Sequence, residues 1–443
     1  MTQPRHLNRA LLDAYFAGQA SEYDLVGEVA RVLERDCEVC ESGLAPARID
    51  YDRALRAANR RIRAELADLD EERRRVRGLL HELAGLTEPE TLLRVAGDGR
   101  FHTVALVEYE LGAAWAGLEG EAWQAARHAV ELGTVAVVRL DTGRYGKVGV
   151  SCLRAEAELA RARVAVAQGR DPEARRALEG AGEWVGSSLS EEAHAGLLLG
   201  QAVLALREGD ERGAGNELAA AEEICRRGGA ARRRVSIETL LAALARRAGR
   251  PEAAADRLRG SLGSIELGSG GGVRWRAAYE LVVALLESSE VEEALGFVSA
   301  WEGELEGRGA AEARVSAGAA ELAHLRGLVL RALRRPERGE AALRWAFCLH
   351  VTLGRGLRAL AVAADLARGT VARSGSAGSL EWLGRALEGV VARTELAGEP
   401  LEALARFSGS LWRGTLRGEE VDDFEERISR GDPPWGLDHD EPR

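Results

Sequence analysis

The sequence predicts an all-α protein built from repeated helical hairpins, on the evidence of its composition and its periodicity. Its 443 residues include only 10 prolines, and the strong helix formers Ala, Leu, Glu and Arg dominate. Short breaks between helical runs recur about every 40 residues. Because such a period stacks one hairpin on the next, we expect an α-solenoid with almost no sheet.

Small residues occupy fixed positions around these breaks, which lie at Gly120, Gly169, Gly209, Gly249, Ser289, Arg334 and Ser374. Seven residues before the breaks stand Ala113, Ala162, Ala202, Ala242, Val282, Gly327 and Ala367. Five residues after them stand Ala125, Ala174, Ala214, Ala254, Ala294, Gly339 and Ser379. Small side chains are needed where two antiparallel helices cross closely, so each repeat is predicted to be one hairpin.

The order small, small, large, small around a helix–turn–helix break resembles the tetratricopeptide repeat over residues 100–413. The resemblance implies a right-handed α-solenoid that binds other proteins. The unit here is near 40 residues, whereas the family's unit is about 34. We therefore expect longer helices or longer turns between hairpins than the family has.

Residues 1–47 contain a Cys-x-x-Cys pair, Cys37 and Cys40, with His6 upstream of it. Two thiolates at this spacing can reach one Zn²⁺ at about 2.3 Å. The layout resembles the small zinc-binding domain of bacterial anti-sigma factors, although apolar residues replace the histidine that the family places shortly before the pair. The resemblance implies a helical module in which His6, Cys37 and Cys40 are the candidate zinc ligands. A metal-free module and a redox-active thiol pair remain the alternatives, and no other cofactor is expected.

Residues 48–99 are predicted to form a long charged connecting helix and a cap. Apolar residues recur in it every seven positions, at Leu55, Ile62, Leu69, Val76 and Leu83. This partial heptad indicates either packing against the first repeat or a coiled-coil homo-oligomer through residues 48–84. At the other end, residues 414–443 are rich in Asp and Glu and are predicted to be an acidic, poorly ordered tail. The glycine-rich residues 268–272 are predicted to be a loop between repeats.

The charge balance argues against nucleic acid as the main partner, because 71 acidic residues exceed 60 basic ones for a net charge of −11. Arginines do cluster at residues 226–227 and 232–234, but we expect these charges to be solvated. No uncharged run reaches the roughly 18 residues of a membrane span. The 5 cysteines do not indicate a disulfide framework, so we expect a cytoplasmic protein without a membrane partner.

Enzyme motifs are lacking, since the chain contains no GxxxxGK[ST], GxSxG or HExxH sequence. The histidines outside the first module, among them His324 and His350, are scattered and are expected to be mostly surface or half-buried helix residues. We therefore predict a protein that is not an enzyme.

The predicted function is a scaffold or regulatory adaptor that binds a protein or peptide on the solenoid surface. The alternative is a metal- or redox-responsive regulator of a sigma-like factor, acting through residues 1–47; the combination of module and repeats resembles a group of bacterial proteins. The candidate partner-binding residues lie on first helices of hairpins, outside the small-residue column: Arg154, Glu156, Arg161, Arg163, Gln201, Glu238 and Arg276.

Overall fold

The structure is a computed structural model. It describes residues 67–119, 122–188, 190–227, 233–262, 272–307, 316–372, 382–388, 390, 399–412 and 417–431. These residues form α-helices joined by turns, with one short 3-10 helix at Gly99–Phe101 and no strand within the described ranges. The chain divides into two compact units, Met1–Leu80 and His81–Arg443. The all-α prediction is therefore confirmed for the described part of the chain.

Helix α1 covers residues 67–83, on both sides of the division. The helices that follow are α2 (Glu88–Gly97), α3 (Val104–Glu119), α4 (Trp123–Val138), α5 (Thr142–Tyr145), α6 (Lys147–Ala167), α7 (Asp171–Ser188), α8 (Glu191–Arg207), α9 (Glu211–Arg226), α10 (Arg234–Arg247), α11 (Pro251–Leu262), α12 (Gly272–Glu287), α13 (Val291–Gly307), α14 (Ala317–Ala332), α15 (Pro336–Thr352), α16 (Gly356–Ala372), α17 (382–388), α18 (Glu399–Trp412) and α19 (Gly418–Gly431).

The turns within the hairpins repeat one hydrogen-bonding motif. At the end of α6, the Gly169 N–H bonds to the Val166 carbonyl at 3.0 Å, and the Arg170 N–H bonds to the Ala165 carbonyl at 2.8 Å. This pair of bonds is a Schellman cap, which requires a left-handed residue after the helix. Gly169 supplies it with φ 69°, and the same caps end α8, α10, α12 and α14. Five of the seven breaks found in the sequence are therefore capping positions, and the other two, Gly120 and Ser374, lie outside the described residues.

The helices of the second unit pack mainly on their neighbours in the chain. The pairs α3–α4, α6–α7, α8–α9, α10–α11 and α14–α15 share the most extensive contacts. In addition, α6 contacts both α3 and α8, and α12 contacts both α10 and α14. First helices of successive hairpins therefore touch one another at several points along the array.

The columns of small residues lie where the helices of a hairpin cross. Ala162, Ala202 and Ala242 are at most 1 % exposed. In α14–α15 a Cβ atom on Gly339 would lie 2.9 Å from the carbonyl oxygen of Gly327, so only glycine fits the crossing. These contacts give the predicted columns their physical reason.

The first hairpin departs from the predicted register by one residue. Ala125 is exposed and Ala113 is only half-buried, whereas Ala126 and Ala114 are fully buried. A Cβ atom on Gly117 would lie 3.1 Å from the Ala126 Cβ, which marks the crossing point of α3 and α4. The small residues at the crossing of α3 and α4 therefore lie one position later than the sequence predicts.

The prediction of a poorly ordered tail over residues 414–443 needs correction at Gly418–Gly431, because this helix, α19, packs on α16 and α18. Residues 432–443 lie outside the described residues. Val421 and Phe424 of α19 are at most 2 % exposed, and the Phe424 ring stacks on Phe407 of α18 with centroids 4.1 Å apart. Apolar residues three positions apart give this acidic segment one buried face. A count of its acidic residues does not reveal that face, because it ignores their spacing. A smaller correction applies to the loop predicted at residues 268–272, because its last residue, Gly272, is the first residue of α12.

The heptad of the connecting helix is described only within α1. Val76 and Leu83 are 4 % and 7 % exposed in the single chain. Leu69, the third heptad position within α1, is only half-buried. Packing against the first repeat and a coiled-coil homo-oligomer both stay predictions. The other heptad positions before residue 67, and the predicted boundary at residue 47, lie outside the described residues.

Candidate functional site

A cluster of buried polar and aromatic side chains lies between hairpins α12–α13, α14–α15 and helix α16. We call it the His324 cluster. Its members come from α12, α14, the last turn of α15, and the start and middle of α16: Trp275, Arg276, Tyr279, Glu321, His324, His350, Arg355, Arg358 and Asp365. Each is at most 8 % exposed. Burying charged groups is unfavourable unless they are paired, so this concentration requires an explanation beyond packing.

Two short ion pairs organise the cluster. His324 Nε2 lies 2.7 Å from Asp365 Oδ2, and Arg355 Nη1 donates to Glu321 Oε1 at 2.7 Å. Arg331 Nη1 also donates to the Asp365 backbone carbonyl at 2.6 Å. Both pairs join α14 to α16 or to the turn just before α16. They connect two first helices that follow one another in the array.

An aromatic stack forms the α12 side of the cluster. The Trp275 ring stacks on Tyr279 with centroids 5.2 Å apart and on His324 with centroids 5.7 Å apart. The guanidinium carbon of Arg358 lies 4.1 Å from the Trp275 ring centre, a cation–π contact. The Arg276 guanidinium lies 5.9 Å from the Tyr279 ring and forms no ion pair with a described residue.

Several buried polar atoms in the cluster have no hydrogen-bond partner among the described residues. They are Trp275 Nε1, His324 Nδ1 and both ring nitrogens of His350. Buried polar atoms are nearly always hydrogen-bonded, because an unsatisfied one costs about 1–3 kcal/mol. Each of these atoms therefore requires an explanation beyond packing.

Burial shifts the protonation of two members in opposite directions. Loss of hydration lowers the pKa of His350 well below its ordinary value, and the charges of Arg355, His324 and Arg358 lower it further. Burial raises the pKa of Glu321, against the opposing effect of Arg355 and Arg358. Both shifts disfavour the charged form, as expected of groups removed from water.

A second cluster surrounds Arg233, directly before α10, and we call it the Arg233 cluster. Arg233 is fully buried and its Nη2 donates to both carboxylate oxygens of Glu156, at 3.0 and 2.7 Å. Its Nε donates to the Glu192 carbonyl at 3.2 Å, and its guanidinium carbon lies 5.8 Å from the Trp115 ring centre. The expectation that the arginines at 232–234 are solvated is therefore wrong for Arg233.

Glycine makes room for that guanidinium. A Cβ atom on Gly196 of α8 would lie 2.6 Å from Arg233 Cζ and 2.8 Å from Leu159 Cδ1. Such distances are shorter than real Cβ contacts, so no other residue fits without displacing Arg233. The Arg233 cluster is therefore a fitted guanidinium site that joins α6, α8 and the start of α10.

The residues predicted to bind a partner occupy three environments. Glu156 belongs to the Arg233 cluster and Arg276 to the His324 cluster. Internal contacts or burial hold Arg154, Arg163 and Glu238, while Arg161 and Gln201 are exposed. Arg154, for example, donates to the Val138 carbonyl at 3.3 Å, and its guanidinium carbon lies 4.7 Å from the Trp184 ring centre. The structure thus brings two of these residues into clusters and leaves two on the surface.

The candidate zinc ligands His6, Cys37 and Cys40 lie outside the described residues, so zinc binding remains a prediction. In the part of the chain that the structure describes, no three His, Cys, Asp or Glu side chains are grouped so that they could hold a metal ion. None of the described helices has the length and apolar character needed to cross a bilayer.

Comparison with known proteins identifies no relative. No protein-family model matches the chain, and no curated protein matches it. Functional inference therefore depends on the geometry of this molecule.

Sequence reasoning missed most members of the two clusters. The expectation of surface or half-buried histidines is wrong for His324 and His350, which are fully buried. A signal was present ten residues before each break, where Leu159 and Leu199 are replaced by polar or aromatic residues in four other repeats, at Glu110, Thr239, Tyr279 and His324. An apolar residue is therefore not a fixed requirement at this first-helix position.

Proposed function

We propose that the chain is a protein-interaction scaffold without enzymatic activity, in which tetratricopeptide-like hairpins form a right-handed α-solenoid and bind a partner peptide or helix along their first helices. The observation that carries the proposal is the concentration of polar and aromatic side chains between first helices. The packing columns of the second helices, by contrast, contain mainly Ala and Leu, although Ser261 and Trp301 also occur in them. Stacked hairpins expose a continuous surface suited to extended partners.

Neighbouring first helices supply both elements that such a surface needs. The aromatic and guanidinium groups of the His324 cluster are buried and hold neighbouring first helices together, which fixes the surface that these helices present. Exposed polar residues such as Arg161 of α6 and Gln201 of α8 provide the polar surroundings. The contacts of α6 with α8 and of α12 with α14 keep these elements on adjoining helices.

Site-specific photocrosslinking tests the proposal. A benzophenone amino acid is placed at Arg161 or Gln201, on first helices, and in matched controls at Arg176 or Asn216, on second helices; all four positions are exposed. The expected result is a defined covalent adduct with one partner from the first-helix positions only. Mass spectrometry of the adduct identifies the partner, which is then purified and titrated.

Two results would contradict the scaffold. One is crosslinking from the control positions as efficient as from Arg161 and Gln201. The other is a purified partner whose affinity is unchanged when Arg161 and Gln201 are both replaced by alanine. Either result would move the binding surface away from the first helices.

A further inference from the structure

His350 lies in the last turn of α15, where its backbone carbonyl accepts the N–H of Arg355 at 2.9 Å in the cap that ends the helix. Helix α15 packs on α14 and α16. Its imidazole is fully buried, and neither ring nitrogen has a hydrogen-bond partner among the described residues. The ring is therefore held by packing alone, in a region otherwise rich in paired charges.

The charged and titratable groups around His350 come from each element packed against it. Helix α14 contributes His324, which contacts Asp365 of α16. Helix α16 and its preceding turn contribute Arg358 and Arg355, and Arg355 bonds to Glu321 of α14. On its own helix, the nearest cation, Arg344, bonds to Glu340 and lies 4.8 Å from the Trp382 ring centre. Within the described residues no carboxylate forms an ion pair with His350, because Glu321 pairs with Arg355 and Asp365 with His324.

A proton on His350 would thus add a positive charge beside Arg355 and Arg358, in a fully buried position where the carboxylates of the cluster, Glu321 and Asp365, already have partners. Packed elements respond to such a charge by separating, because an open arrangement hydrates the imidazolium. We infer that His350 is a proton-sensitive latch, whose protonation in mildly acidic solution loosens the packing of α15 on α14 and α16 and opens the His324 cluster.

The direction of the effect follows from proton linkage. The pKa of His350 is lowered in the closed state, so the open state binds more protons below pH 6.5, the ordinary value for histidine. Opening is then favoured as the pH falls from 6.5, by at most about tenfold per pH unit. Glu321 has a raised pKa and acts in the opposite direction, since its protonation stabilises the closed state. A variant that changes only His350 separates the two contributions.

The consequence for function is pH-dependent partner binding, because α14 and α16 belong to the surface proposed above. That consequence rests on the proposed function, whereas the opening itself is measured on the full-length chain alone. If the full-length chain does not open as the pH falls, the latch is refuted. If no partner binds the first helices, only the scaffold is refuted.

Hydrogen–deuterium exchange measured by mass spectrometry from pH 7.5 to 5.5 tests the latch, with rates corrected for the pH dependence of intrinsic exchange. Peptides from residues 317–372 report on the His324 cluster, and peptides from residues 151–204 serve as the internal reference. We expect the opening equilibrium of 317–372 to rise several-fold between pH 6.5 and 5.5 while the reference stays constant. An equal rise in both regions would overturn the inference.

His350→Leu keeps a similar side-chain volume and cannot be protonated, so the acid-induced rise should disappear. The matched control is His128→Leu, which removes another imidazole with an unpaired Nδ1 from a half-buried position on α4. The control should retain the rise in 317–372. A rise of wild-type size in His350→Leu would refute the latch.

His350→Gln provides a second measurement if His350→Leu does not fold. Glutamine is also neutral over this pH range, so the acid-induced rise should disappear although the side chain stays polar. The baseline at pH 7.5 will also change, because an amide replaces the imidazole, but only the slope with pH reports on the proton. An unchanged slope would contradict the inference.

Discussion

Arg233 and Glu156 form an ion pair between α6 and the start of α10, at Nη2–Oε2 2.7 Å and Nη2–Oε1 3.0 Å, although 77 positions separate them in the sequence. The hairpin α8–α9 lies between them in the chain. Its residues Glu192 and Gly196 complete the site, one by a carbonyl acceptor and the other by leaving space. The pair therefore ties together three successive hairpins.

We expect Glu156→Leu to destabilise the protein by about 3–5 kcal/mol, because it leaves the fully buried Arg233 without its carboxylate. The double variant Glu156→Leu/Arg233→Met removes both charges and should be considerably more stable than the single one. Urea denaturation of both singles and the double gives the coupling energy. Additive effects of the two substitutions would show that the ion pair contributes no coupling.

Gly196→Ala should cost about 1–3 kcal/mol, because the new methyl group would overlap the Arg233 guanidinium and the Leu159 side chain. The control is Gly215→Ala in α9, where no atom lies within 4 Å of the added carbon. There, alanine should stabilise the helix by about 0.5–1 kcal/mol. Thermal denaturation compares the two; equal shifts of the same sign would mean that Gly196 is not sterically required. In an Arg233→Met background, the cost at Gly196 should decrease.

Local features of the fold could be predicted from the sequence, because each depends on residues close together in the chain. A left-handed cap favours glycine, and a close helix crossing favours a small residue. The residue types at Gly169 and Ala162 therefore indicate a cap and a crossing from the sequence alone. The predicted register of the first hairpin is wrong by one position because small residues stand at two successive positions in each helix, Ala113 and Ala114 in one and Ala125 and Ala126 in the other. Only packing against Gly117 distinguishes them.

The clusters could not be predicted in the same way, since they depend on which distant side chains meet. Nothing local to Arg233 distinguishes it from the neighbouring Arg234, which is exposed. Its burial results from Glu156, two hairpins away, and from Gly196, one hairpin away. His324 likewise depends on Asp365, 41 positions later. An alignment of the repeats shows only that the residue type changes at such positions. It does not show which distant side chains meet there.

Ser289 and Arg334 occupy the left-handed capping position that glycine takes in other repeats, with φ 65° and 57°. A side chain in this conformation costs about 1–2 kcal/mol. Replacing either residue by glycine should therefore stabilise the protein by about 1 kcal/mol, a part of the gain being offset by the greater freedom of glycine in the unfolded chain. Differential scanning calorimetry measures the change in Tm.

The reverse substitution supplies the control for these caps. Gly249→Ala places a methyl group at φ 71° and should lower stability by about 1–2 kcal/mol. A fall in Tm for Ser289→Gly and Arg334→Gly would show that their side chains stabilise the turns in a way that outweighs the backbone strain.

Glu110 of α3 makes the stability of the first hairpin depend on pH. It is 5 % exposed, and burial raises its pKa to about 7 from an ordinary value of 4.5. The folded state therefore binds this proton more tightly than the unfolded state does. The resulting stabilisation is complete below pH 4.5 and is lost as the pH rises to 7, a loss of about 3 kcal/mol for a shift of this size.

We accordingly expect Glu110→Gln, which stays neutral, to be more stable than wild type by up to about 3 kcal/mol at pH 8 and by far less at pH 5. Urea denaturation at the two pH values measures the difference. Glu304→Gln, an exposed position on α13, serves as the control and should show the same pH dependence as wild type. If Glu110→Gln were more stable than wild type by the same amount at pH 5 and pH 8, Glu110 would be ionised in the folded protein at both pH values. Burial would then not control its protonation.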